Sequence, residues 1–432
     1  VDAGNLRHLL RRTEFVARPE RVTALQGATR AEAVDDILAV PADPVVVPPS
    51  LQVDSADSGY EHWVEALQWW LDRMVDAPRP VQERMTFFWH GHFCSSWEKV
   101  RSARAMTDQN SLFRSEALGN LHSLVRGMAL QPAMLYYLDN HLNDKDSPNE
   151  NFGRELLELF TLGIGEYAES DVLECARAWT GHGIDPVSED YLFSAARHDT
   201  GSKTFMGTTR AWDGPDVIDH LLLENSDTAL VACRFVTRKL WRHLAGTSAS
   251  DVVVDALAAV LLDGGLEVRP WLRALLLRDE FYASEVQRGL VRQPVDFIVA
   301  VMAATGLRSA DLDPQWFVEG MGQIPFAPPN VAGWKTNSYW TTASQFGTRG
   351  EFARNVTWRL REGGAHEVAD GLTPAQAVDA VAAMFGLSLS TTTRTALVDW
   401  ETRQRVAEPW TGWWESTNLL TLMMTTPEMH LA

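Results

Sequence analysis

Apolar residues recur at three- and four-residue intervals along most of this chain, and that periodicity commits it to a mainly α fold. The spacing predicts helices over 5–15, 30–39, 60–75 and 81–89, then over 108–118, 121–130 and 132–138. It continues through 150–162, 170–180, 216–223, 226–244, 249–262, 269–277, 294–305 and 313–321. The period changes between Tyr191 and Gly207. There Tyr191-Leu192-Phe193-Ser194 and Lys203-Thr204-Phe205-Met206 flank Asp199-Thr200-Gly201-Ser202, the pattern of one small β-hairpin inserted over 190–208. The Pro-rich segment 41–50 and the stretch 323–342 read as loops. The expected architecture is a large multi-helix domain over 1–432, with 343–432 as a C-terminal helical subdomain.

A chain of 432 residues has ample core for this. No apolar run approaches the roughly 20 residues that cross a bilayer, so no transmembrane segment is expected. The net charge of −19 argues against nucleic acid or an anionic membrane as the main partner. Cys94, Cys175 and Cys233 form no Cys-x-x-Cys pair, which speaks against a zinc ribbon or a disulfide framework and leaves a single bridge open. The chain begins at Val1 rather than Met, as a processed or truncated chain would. Most of the 17 tryptophans belong in the core, but one ring of each of the pairs Trp69-Trp70 and Trp413-Trp414 is left for a groove wall.

Chemistry concentrates in four segments. In Pro148-Asn149-Glu150-Asn151-Phe152-Gly153-Arg154-Glu155-Leu156-Leu157-Glu158-Leu159, the apolar side chains share one helical face. Asn149 reads as the N-cap, and Glu150 and Arg154 as an i, i+4 ion pair. Asn151, Glu155 and Glu158 then run along the core margin, where repulsion between the two glutamates raises one pKa toward that of a general acid. The second segment, Phe87-Phe88-Trp89-His90-Gly91-His92-Phe93, has metal-ligand spacing if Gly91 breaks the helix. On a continuing helix the His90 and His92 rings would diverge by about 200°. In the third, Arg197-His198-Asp199-Thr200-Gly201-Ser202-Lys203-Thr204, His198 and Asp199 form a base or orienting pair beside Lys203. The fourth, Phe326-Ala327-Pro328-Pro329-Asn330-Val331-Ala332-Gly333-Trp334, is a stiff loop presenting Asn330 and Trp334. Serine-hydrolase, zincin and dinucleotide motifs are absent.

With Leu6-Arg7-His8-Leu9-Leu10-Arg11-Arg12 at the start and 419–428 at the end, these segments occur in an order that resembles the bacterial family catalogued as domain of unknown function 1800. The resemblance covers nearly the whole chain. It implies a mostly helical fold and, because many members carry export signals, a secreted or extracytoplasmic setting. It carries over no catalytic roles. Two positions depart from the family's pattern: His182 stands where Trp is expected after Thr-Gly, and Ala327 where Asn is common. Both suggest a ligand different from the family's usual one.

The leading expectation is a secreted enzyme acting on a carbohydrate or similar polyhydroxylated substrate, of glycoside hydrolase or lyase type. Glu155 or Glu158 is the expected general acid, with His198 and Asp199 as base or orienting pair. Arg154 and Lys203 would hold an anionic group such as a uronate, and Trp334 would stack on a sugar ring. Asn149, Asn151, Asn330 and His182 complete the expected substrate contacts. One rival needs a divalent metal ion on His90 and His92 with Glu155 or Glu158; the leading reading needs no cofactor. The other rival is a non-catalytic binding or assembly protein whose polar motifs are buried networks. The composite site requires Glu155, His90, His198 and Asn330 to line one cleft.

Overall fold

The computed structural model describes residues 1–42, 45–52, 59–362, 371–407 and 412–432, without the side chains of 362 and 412–417. Helices dominate, as the periodicity predicts. Among the described residues, no helix is long and apolar enough to cross a membrane.

The helix Val81–His92 lies between two apolar cores, with ten of its twelve residues buried. Phe88 and Trp89 enter a core built around Leu9, Phe113, Leu157 and Trp271. Phe87 enters a second, with Trp70, Phe297, Phe352 and Met423. That second core draws on Tyr60–Asp76, Pro294–Thr305 and the helices after Ala343 together, so the C-terminal third shares a core with earlier helices.

A helix buried on every side must pair its polar groups. Glu83 accepts from Trp70 Nε1 at 3.0 Å, Arg73 Nε at 3.2 Å and Arg114 Nε at 2.6 Å. Arg84 donates to Asp296 at 2.6 Å. The helix also runs through Gly91, where a break was expected: Phe93 N–H donates to Trp89 O at 2.8 Å. Gly91 is the penultimate residue of this helix, so the cost of about 1 kcal/mol for a glycine in a helix interior is not incurred in full.

The expected single hairpin divides into two. Strand β1 (His182–Ile184) pairs antiparallel with β2 (Tyr191–Phe193), and β3 (Lys203–Phe205) pairs with β4 (Thr208–Arg210). Met206 and Gly207 both have positive φ, 48° and 77°. They make the tight turn that closes β3 onto β4, so β3 is not available to β2.

Of the Trp69-Trp70 pair, Trp70 is fully buried, while Trp69 is half-buried and donates to Val46 O at 3.2 Å. The side chains of Trp413-Trp414 lie outside the described residues. The three cysteines are buried and free.

The buried polar groups make stability testable in two ways. Glu83→Ala leaves the Arg114 guanidinium buried without its carboxylate and is expected to cost about 3–5 kcal/mol in urea unfolding at pH 7. Burial pushes His8 down to about 2 and His90, His243 and His430 down to about 3. Unfolded histidines titrate near the ordinary value of ~6.5. As pH falls below that, the unfolded chain takes up protons that the native chain refuses, and stability is lost on the way down to pH 3. Each such histidine contributes a slope of up to about 1.4 kcal/mol per pH unit. Unfolding free energies equal at pH 7 and pH 5 would contradict this.

Candidate functional site

Where the helix Val81–His92, the helix Ser226–Ala245 and the loop carrying Trp334 meet, a cleft of about 410 Å³ opens. Phe87, Gly91 and His92 line it from the first helix, Lys239, Arg242 and His243 from the second, and Trp334 and Lys335 from the loop. Among the described residues, none that lines it is acidic. In a chain of net charge −19 with five lysines, a cleft holding two of them and an arginine is a concentrated positive site.

Lys239 is a cleft group whose acid–base chemistry is altered by its surroundings. Its amine donates to Leu159 O at 2.9 Å and meets His92 Nδ1 at 3.1 Å. His92 Nε2 lies 3.1 Å from Phe160 O. A carbonyl only accepts, so Nε2 carries the ring proton and Nδ1 receives the Lys239 donor. Both carbonyls come from the π-helical turn Leu156–Thr161 that ends the Glu150 helix. Carbonyls at a helix end have no partner within the helix, and here they serve the two cleft residues. Burial lowers the Lys239 pKa to about 8. Burial, then the Lys239 charge, keeps His92 well below its ordinary value and neutral.

Several cleft residues retain unused hydrogen-bonding capacity. Buried nitrogens of His243 (Nε2), Gln293 (Nε2) and Trp334 (Nε1) have no partner within the protein. His243 is also within electrostatic reach of Arg84, Arg12 and Asp296. Arg12, Arg84, Arg292 and Arg349 are buried in this region, with Asp296 the carboxylate that offsets them. All three guanidinium nitrogens of Arg292 lack a protein acceptor. The interior beside the cleft therefore carries excess positive charge.

The structure disperses the composite site expected from sequence. Trp334 borders the cleft, its ring stacked on Phe87 at a centroid distance of 5.7 Å. His90 and His92 diverge because the helix continues: His90 Nε2 accepts Phe326 N–H at 3.1 Å, while His92 faces Phe160 and Lys239. They do not share a metal position. Asn330 is exposed, its side chain accepting Ala332 N–H at 2.9 Å.

The Asn149–Glu158 segment lies outside the cleft lining. Asn149 caps its helix through Asn151 N–H at 2.9 Å, and the Asn151 side chain is exposed rather than at the core margin. Arg154 pairs with Glu150 at 2.9 Å and with Glu169, so its charge is already matched. Burial, then repulsion from Glu158, raises the Glu155 pKa, and a buried Glu155 Oε2 has no partner. Glu158 accepts from Tyr167 OH at 2.6 Å.

Lys203 is a buried staple, donating to the carbonyls of Asp199, Gly201 and Trp212. Asp199 is held by Arg177 Nε at 2.7 Å; burial pushes its pKa up, but Arg177 prevails and keeps it below the ordinary value. His198 and His182 face each other across the loops beside β1, with ring centroids 6.3 Å apart. Lys239, Arg242 and His243 escaped the sequence reading, although their i, i+3, i+4 spacing puts all three on one helical face.

A family model described as "Protein of unknown function (DUF1800)" matches residues 8–431. No curated protein and no solved structure matches the chain. The helical fold and the match along nearly the full length agree: this chain belongs to the DUF1800 family.

Proposed function

We propose that the protein is an enzyme of lyase type acting, in an extracytoplasmic setting, on an anionic polyhydroxylated substrate such as a uronate-bearing saccharide. The observation that carries this reading is a lysine with a pKa of about 8 in a cleft bordered by Arg242 and Lys335 and free of acidic lining among the described residues. Perturbed lysines in clefts are candidate acid–base groups. Trp334 supplies an aromatic surface for a sugar ring. Arg242 and Lys335 would neutralise the substrate carboxylate, making the adjacent C–H more acidic. Neutral Lys239 would take that proton, the C–O bond at the β carbon would break, and a C=C bond would form. The resulting ammonium would return a proton to the departing oxygen. His92, kept neutral, would position the amine without competing for the proton.

A second reading, glycoside hydrolysis with Glu155 as general acid, draws on its raised pKa and unpartnered Oε2. The products separate the two. Elimination yields an unsaturated, ultraviolet-absorbing sugar end; hydrolysis yields reducing ends without that absorbance.

On a panel of polyuronates, the expected result is unsaturated product. Its absence across the panel would remove the lyase reading. Lys239→Ala is expected to lower kcat by roughly 10²–10⁴-fold, with the far-ultraviolet circular dichroism unchanged. Because the neutral amine is the base, the rate should climb with pH through about 8. A profile flat from pH 6 to 9 would show that Lys239 is not the base.

A further inference from the structure

A second group of side chains, sharing no residue with the cleft, gathers where the loops around β1 and the helix Gly214–Asp219 meet. His182, His198 and Asp213 each offer a ligand atom, and these atoms lie within 4.8 Å of one another. We propose that His182, His198 and Asp213 form a binding site for one divalent transition-metal ion.

The contacts behind these ligand atoms favour this. His198 Nδ1 lies 2.8 Å from Thr180 O, so that nitrogen carries the proton and Nε2 is left with its lone pair. His182 Nδ1 lies 2.8 Å from Tyr191 OH, and its Nε2 faces Asp213 Oδ1 at 2.8 Å. A metal would replace the proton between His182 Nε2 and Asp213, with Tyr191 receiving the Nδ1 hydrogen. Metal-binding imidazoles are commonly oriented in this way by an oxygen on the far nitrogen. Two imidazoles and one carboxylate suit zinc, iron(II) or manganese(II) more than calcium or magnesium.

Close packing holds the three residues in place. Gly181 has φ +79°, and a Cβ there would meet Ser194 O at 2.5 Å and His198 N at 3.0 Å. A Cβ on Gly214, next to Asp213, would lie 2.6 Å from the Trp179 ring. Exposure is graded: the His182 side chain is 1% exposed and that of Asp213 44%. One side of the site is therefore sealed by protein and the other is open to solvent, which leaves coordination positions for water or a small ligand.

The test uses the full chain, stripped with a chelator and titrated with Co²⁺ by visible absorption and with Zn²⁺ by calorimetry. One saturable equivalent is expected, weakened at least tenfold by His198→Ala and by Asp213→Asn with circular dichroism unchanged. His122→Ala, which removes a separate His–Asp pair with Asp219, should leave uptake intact. Uptake that never saturates at one equivalent, or that survives both substitutions, overturns the proposal. Should the variants misfold, Zn²⁺ protection of the half-buried His198 from diethyl pyrocarbonate in the wild-type chain decides the question, absence of protection counting against the site.

Discussion

The contact between Gly333 and the Val81–His92 helix governs how the two cores meet. A Cβ on Gly333 would sit 2.3 Å from Gly91 O, inside any allowed contact distance. With φ +80°, Gly333 also has a backbone conformation that other residues rarely adopt. This approach lets Trp334 lie against Gly91 and stack on Phe87, while His90 takes the Phe326 N–H from the start of the same loop. The loop is thus pinned to the helix from both ends, and the mouth of the cleft is set by that pinning. A larger residue at 333 would lift Trp334 away and separate the lysine from its aromatic wall.

Charge is distributed against the overall sign of the molecule. The chain carries −19 in total, yet the cleft and the interior beside it hold Lys239, Arg242, Lys335, Arg12, Arg84 and Arg292. An anion approaching from afar meets a repelling field, and only close to the cleft does the local potential reverse. Such an arrangement discriminates by fit at short range instead of by long-range steering.

The helical fold was legible because its signal is local: each amphipathic stripe is written within a dozen residues. The Asn149 cap and the Glu150–Arg154 pair were legible for the same reason. The hairpins were misjudged because pairing depends on which turn closes, and Met206-Gly207 outcompetes 199–202. His90 and His92 invited a shared metal because their spacing is visible while their partners, Phe326 and Lys239, are 236 and 147 residues away. Burial explains the remaining differences. Nothing in Lys203-Thr204 announces that the amine ends among three carbonyls, and nothing around Lys239 announces its loss of solvent. His182 drew notice as a substrate contact and as a departure from the resembled pattern; Asp213 and Tyr191, its partners, became visible only once the loops had folded.

The lowered pKa of Lys239 also changes the chain's exposure to electrophiles. At pH 7 an amine with a pKa near 8 is neutral in roughly a tenth of molecules, against fewer than about one in a thousand for an ordinary lysine. Of the other lysines, Lys203 has its amine committed to three carbonyls and Lys99 is paired with Asp139. Aldehydes, activated esters and isothiocyanates small enough to enter the cleft should therefore modify Lys239 ahead of these. The residue is at once a handle for covalent probes and a point at which reactive sugars would scar the protein.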